Sequence, residues 1–380
     1  MDYRFSDDEE SFRERIREII AEGMSPDYPG IFTDDPHAVE ESFAFAASLG
    51  AEGLLTRAWP AEYGGQDASL WSQLVFNEEM WAHNEPRGGQ YMGVTWIGPA
   101  LMQYGTPQQR DEHLPRISAG EVQWCQGFSE PDAGSDLASL KTAATRVEGG
   151  YKISGQKIWT SYANLAHYCV LAARTDSSGP KQHGITVFLI PMGRAGVTVR
   201  PIDTMLGPNH FNEVFLDDVF ASDDEVLGEV DKGWEVMNAG LAFERVGIPR
   251  YARSDRILAQ LQESLTPAQL EDAAARIAVS KVHTLVARLL TYRTIAERDK
   301  PSGSTSDGPV SRIAATQLDQ EVADLAMDEL GLQALVTHHE APTPAIANME
   351  HHWRYAQSAT VAAGALEIQK MLVGRAELAG

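Results

Sequence analysis

What most constrains this chain is a change of texture in its middle. From about Val122 to Gly228, short β-branched and aromatic runs are joined by Gly and Pro, whereas both flanks repeat at helical spacing. After Gly149-Gly150 come YKISGQKIWTSY, HYCVLAAR, GITVFLIPM, GVTVRPI and NEVFLDDV, which predict a compact antiparallel barrel or sandwich. On the N-terminal side, Ser6 and Glu9 have capping-box spacing, and Phe12, Ile16, Ile19 and Ile20 then mark one helical face. Helix-rich sequence continues to about Glu121, punctuated at Pro60 with Gly64-Gly65, at Gly88-Gly89 and at Gly105-Thr106-Pro107. After Gly233 the helical period returns. Thr266-Pro267-x-Gln269 opens a long helix whose stripe runs Ala278, Val282, Leu285, Leu289, Tyr292 and Ala296 and ends at Asp299-Lys300-Pro301. PSGSTSDGP is a loop, and a further helix is predicted from about Ile313 to Leu335. The fold class is therefore α+β, with expected domains at 1–121 (helical), 122–228 (β) and 229–380 (helical bundle).

Charge narrows the function classes. Thirty-one Lys and Arg stand against 54 Asp and Glu, a net charge of −23 that would repel phosphate and argues against non-specific nucleic-acid binding, though not against an anionic substrate in a local basic pocket. Cys125 and Cys169 are too few for a disulfide framework and lack zinc-site spacing, so a reducing, cytoplasmic setting is expected. The acidic start, MDYRFSDDEE, does not read as a signal peptide, and no apolar run approaches membrane-spanning length. The pairs His338-His339 and His351-His352 do not share a helix face, and no metal site is expected.

Four segments could carry chemistry. Phe128-Ser129-Glu130-Pro131-Asp132-Ala133-Gly134-Ser135-Asp136 is a turn with hydroxyls at both ends, suited to a polar or anionic ligand or simply an ordinary loop. Lys157-Ile158-Trp159-Thr160-Ser161 places a tryptophan and two hydroxyls at a strand end, where the indole could stack on a flat ring or fill the core. Glu244, in GLAFERVGI, is an acid in apolar surroundings: a general base if burial raises its pKa, or half of an ion pair with Arg245 or another cation. The last segment is VAAGALEIQKMLVGR, in which Gly364 interrupts a helical pattern before Glu367-Ile368-Gln369.

Together with WPAEYGG, YGTPQQRDEHLPRISAGE and FLDDV before LGEVDKGW, these segments stand in an order that resembles the acyl-CoA dehydrogenase family over nearly the whole chain. The resemblance implies an N-terminal helical domain, a middle β-barrel domain and a C-terminal four-helix bundle. It also implies FAD-dependent oxidation of an acyl-CoA thioester to its trans-2-enoyl form, with electrons leaving to an electron-transferring flavoprotein. In that family a carboxylate takes the α-proton while hydride passes from the β-carbon to flavin N5, and a backbone N–H polarises the thioester oxygen. Carried over by motif, Phe128, Ser129, Trp159, Thr160 and Ser161 attend the flavin. Ser135 lies near both the flavin phosphates and the thioester ligand, and Glu367 completes the cofactor set. Arg245, Ala363 and Gly364 attend the substrate.

Three departures refine this. The usual base position is Ala363, so the family's alternative Glu-Arg pattern makes Glu244 the base. The stretch Arg253 to Thr266 lacks the Arg-x-x-Phe-Gly segment that reaches a neighbouring FAD. A His-Gly-Gly-type turn is replaced by Asp328-Glu329-Leu330-Gly331-Leu332. The pattern is similar to bacterial members of steroid side-chain degradation that assemble from two paralogous subunits. The expectation is a homo- or heterotetramer, with the Ala278–Ala296 stripe at subunit contacts. A non-catalytic subunit completing a paralogue's FAD site is the alternative.

Overall fold

The structure is a computed structural model. It describes residues 4–30, 35–298, 306–336, 340–362 and 364–379, without the side chains at 208–209, 241–247, 298 and 379. The expectations placed on Ala363, Asp299-Lys300-Pro301, most of PSGSTSDGP and His338-His339 lie outside the described residues, as do the side chains of Glu244 and Arg245. The chain divides into two compact units, one of Met1–Gly30, Ser69–Pro86 and Arg245–Gly380, the other of Ile31–Ala68 and Arg87–Glu244.

The second unit holds the sheet. Its strands are β1 (Trp124–Gly127), β2 (Ala143–Val147), β3 (Gly150–Lys157), β4 (Tyr168–Arg174), β5 (Ile185–Pro191), β6 (Val197–Thr204), β7 (Gly207–Ser222) and β8 (Val226–Leu227). The five runs read from the sequence become β3 to β7. Among the described residues the pairing is an open path, β6-β7-β3-β2-β4-β5-β8 with β1 beside β4, rather than the closed ring of a barrel. Most pairs are antiparallel, but β1 and β2 each meet β4 in parallel. β4 and β5 are buried almost throughout and read as near-continuous apolar runs. β6 alternates between partly covered and exposed positions, as a strand with one wet face should. The core joins Ile153, Leu171, Phe188, Ile190, Val214 and Val219.

The first unit is helical. The Ser6 capping box opens the helix Asp7–Gly23, and Phe12, Ile16 and Ile20 form its buried face. Thr266 and Gln269 close a second box at the start of Pro267–Arg298. Asp307–Leu330 is the central helix and packs on Arg250–Ser264, Pro267–Arg298, Pro344–Ala359 and Leu366–Ala379. It ends at Leu330, earlier than the pattern predicts, because Gly331 leaves helical backbone and a tighter turn, Gly331–Leu335, follows.

Buried polar groups tie these helices together. Glu78 of the helix Leu70–Ala82 accepts from Tyr251 (2.6 Å), Tyr292 (2.9 Å) and Arg13 (2.7 Å), so one carboxylate joins four helices. The helix Pro267–Arg298 buries Ile277, Tyr292 and Ile295 toward its ends, but its middle turns are inverted relative to an ordinary amphipathic helix. Ser280, Thr284, Ala287 and Thr291 point inward, while Val279, Val282, Leu285, Val286 and Leu289 are exposed, Val282 by 59%. Tyr292 of the expected stripe is buried.

Candidate active site

Two of the four segments meet at one edge of the sheet. Phe128 follows β1 and is buried, and Ser129 is half-buried. Glu130 and Ala133 exchange backbone hydrogen bonds of 3.0 Å, closing a turn that leaves Pro131, Asp132, Gly134 and Ser135 exposed. The turn is fixed from behind by Lys157, the last residue of β3. Its fully buried Nζ donates to Glu130 Oε1 (2.7 Å) and to the Phe128 carbonyl (3.1 Å). Glu130 also accepts the Lys141 and Thr142 N–H groups at 2.6 and 2.8 Å. Burial opposes the charge on both partners and pushes the Lys157 ammonium down. Lys157 and the surrounding donors nevertheless hold the Glu130 carboxyl below its ordinary range. The Glu130 carboxylate accepts three hydrogen bonds and donates none, the pattern of an ionised acid paired with an ammonium.

From Lys157 the chain turns sharply. Ile158 N–H donates to the Ser129 carbonyl (3.0 Å), joining the two segments directly. Trp159 and Tyr162 have left-handed backbone, φ 59° and 57°, a conformation bulky residues adopt only when surrounding bonds enforce it. Those bonds come from β7. Thr160 N–H donates to the Asn212 carbonyl (3.0 Å), Asn212 Nδ2 returns a bond to the Thr160 carbonyl (3.1 Å), and Tyr162 N–H donates to the His210 carbonyl (3.1 Å). The His210 ring packs on those of Tyr162 and Phe211, and burial alone lowers its pKa to about 3.

This geometry leaves the Trp159 indole 54% exposed, with one edge-on ring contact among the described residues, to Phe211 at 6.0 Å. Thr160 Oγ1 and Asn212 Oδ1 are buried and have no partner among the described residues. A bare aromatic face beside hydroxyls and an unsatisfied buried oxygen fits a flat heterocycle with a polar edge, which is the chemistry of a flavin ring. Lys157, Glu130, Asn212 and His210 were not singled out from the sequence. The first two lie inside the quoted motifs and Asn212 opens the quoted NEVFLDDV run, but nothing local marks Asn212 or His210 as holding the turn.

The other candidates lie elsewhere in the chain. Glu244 and Arg245 fall near the end of the helix Gly233–Gly247. In the helical unit, Gly364 has φ +91°, and a Cβ there would lie 2.6 Å from Gln369 Nε2, which donates to the Gly364 carbonyl (3.3 Å). Buried Arg312 holds the chain before it, donating to the carbonyls of Ala359 (2.9 Å) and Ala362 (2.6 Å). Glu367 is exposed in the first turn of Leu366–Ala379. His352 is fully buried near Tyr355, and burial, reinforced by Arg253, keeps it neutral.

Comparison with known proteins gives the class. The acyl-CoA dehydrogenase N-terminal, middle and C-terminal domain families match residues 6–121, 125–219 and 231–378. Acyl-CoA dehydrogenase IpdE1 of Mycobacterium tuberculosis is 31% identical over 380 residues, covering 96% of each chain. Among solved structures, the ChsE4-ChsE5 complex from Mycobacterium tuberculosis superposes with TM-score 0.89 at 29% identity, covering 100% of this chain and 99% of that one. The Tcur3481-Tcur3483 steroid ACAD does so with TM-score 0.88 at 26% identity, covering 100% and 99%. The chain belongs to the acyl-CoA dehydrogenase family. It is an FAD-dependent oxidoreductase acting on CH–CH bonds, converting an acyl-CoA thioester to the 2-enoyl thioester.

Proposed function

We propose that Glu244 is the catalytic base of this dehydrogenase and that Trp159, Thr160, Ser161, Phe128 and Ser129 form its flavin-binding face. The observation that carries the second assignment is the enforced left-handed turn, which holds a bare indole beside a buried, unsatisfied Thr160 hydroxyl. When bound, FAD supplies the hydride acceptor. The chain's own part is to polarise the thioester and to move one proton. By the family's pattern the backbone N–H groups of Ala363 and Gly364 bind the thioester oxygen, and Glu244 takes the α-proton that this polarisation makes acidic. Arg312 donates to the Ala362 carbonyl and Gln369 to the Gly364 carbonyl, on either side of that position. Ser135, Arg245 and Glu367 belong to the substrate and cofactor shell.

The substrate is a bulky, steroid-derived acyl-CoA, a reading supported by the steroid ACAD among the similar structures. The assembly is a tetramer with a paralogous subunit, supported by the two-subunit complex among those structures and by the outward apolar face at Val279 to Leu289. An electron-transferring flavoprotein takes the electrons, and the setting is cytoplasmic. Among the described residues no helix is long and apolar enough to cross a membrane.

The test is Glu244→Gln in the complete assembly, assayed with a panel of CoA thioesters and a dye acceptor. Turnover should vanish while FAD content and thioester binding persist. Near-normal turnover would remove Glu244 from the mechanism.

A further inference from the structure

The Lys157–Glu130 pair is the only contact described in the flavin-binding region that grips both flavin segments through one buried charge. Lys157 Nζ reaches the Phe128 carbonyl and the Glu130 carboxylate, and the next two residues along the chain are Ile158, bonded to Ser129, and the exposed Trp159. The carboxylate in turn ties down Lys141 and Thr142, at the start of β2. Neither side chain faces solvent, with Lys157 at 0% exposure and Glu130 at 7%.

From this we infer that the Lys157–Glu130 ion pair is a positioning device for the cofactor, fixing the spacing between the Phe128-Ser129 backbone and the Trp159–Ser161 turn. The inference rests on the flavin assignment made above. A scaffold needs no charge here, since apolar residues of similar volume often replace a buried pair without loss of stability. What an apolar pair cannot do is hold a carbonyl, a carboxylate and two backbone N–H groups in one arrangement. The groups acting electrostatically on the ammonium are Glu130, the Cys169 thiol and Arg174. Of these, Glu130 is the charged partner that favours protonation. Without it, burial and Arg174 drive Lys157 toward its neutral form, and the link to Phe128 weakens as pH rises.

Three substitutions in the FAD-loaded protein test this: Lys157→Met, Lys157→Arg and Glu130→Gln. The readouts are FAD dissociation constant, visible absorption and circular dichroism of the bound flavin, and far-ultraviolet melting. Lys157→Met should weaken FAD at least tenfold and alter the flavin spectrum in folded protein. Lys157→Arg, which keeps the charge, should recover part of the affinity and remains informative if the methionine variant does not fold. Glu130→Gln should hold FAD at pH 6 and lose it progressively toward pH 9, a dependence absent from the parent. Wild-type FAD affinity and spectrum in all three variants across this range, with only melting lowered, would overturn the proposal. Trp159→Ala separates the two assignments. If it leaves FAD affinity and spectrum unchanged, the flavin site itself is misplaced. If it perturbs both while the Lys157 variants do not, only the positioning role fails.

Discussion

His210 makes the turn that carries Trp159 sensitive to acid. Its ring is buried among Tyr162 and Phe211, and its pKa falls from 6.5 to about 3. A depressed histidine stays neutral in the folded chain while the unfolded chain takes up a proton below pH 6.5. Its contribution is therefore intact above that value and is lost as pH falls toward 3. Each pH unit in the window costs about 1.4 kcal/mol, so between pH 7.5 and 5.0 His210 alone should remove about 2 kcal/mol. The assay is urea unfolding, followed by tryptophan fluorescence, of the parent and His210→Gln at both pH values. Gln lowers stability at either pH, but that constant cost cancels in the pH difference. The half-buried His83 and the buried His113 and His352 are also depressed and stay common to both proteins. The parent should lose about 2 kcal/mol more than the variant between the two conditions. Equal losses, with unchanged denaturant dependence, would mean that the buried imidazole does not resist protonation and would refute the reasoning.

Glu78→Ala should cost about 3–5 kcal/mol by urea unfolding, because two tyrosine hydroxyls and Arg13 lose a buried acceptor. Glu78→Gln should cost less, since an amide oxygen still serves both tyrosines; equal costs would assign the loss to the missing charge rather than to volume or to the tyrosine hydrogen bonds. Trp159→Ala should loosen FAD and shift its spectrum with little change in melting, as followed by flavin release on gel filtration. Gly364→Ala should cut kcat/KM for the thioester by at least tenfold, since its φ of +91° and the Gln369 amide oppose a Cβ, while FAD content stays constant.

The capping boxes at Ser6 and Thr266 and the alternation of the middle strands were legible because caps and pleats are local: the groups that satisfy one another lie three residues apart or on one strand face. The turn at Trp159 was legible only as a tryptophan with hydroxyls beside it. What gives it shape, Asn212 and His210, lies about fifty residues on, in β7. The same holds for Glu78, whose tyrosine partners are 173 and 214 residues away, and for Arg312, which reaches carbonyls 47 and 50 residues later. Periodicity identifies a face but not its neighbour. Thus the sequence marks Val282, Leu285 and Leu289 as one stripe, and only the packed bundle shows that Ser280, Thr284 and Thr291 take the inward side.

That inversion has a consequence for how the molecule behaves as a population. Over its middle turns this helix meets its own bundle through Ser280, Thr284, Ala287 and Thr291 and turns five apolar side chains outward, so in the assembly proposed above part of its stability is supplied by mass action. Melting temperature should then climb with protein concentration, and dilution should act as a denaturant. In a cell, the copy number of the covering surface would set how long a newly made chain survives, linking abundance to stoichiometry through five side chains on one helix.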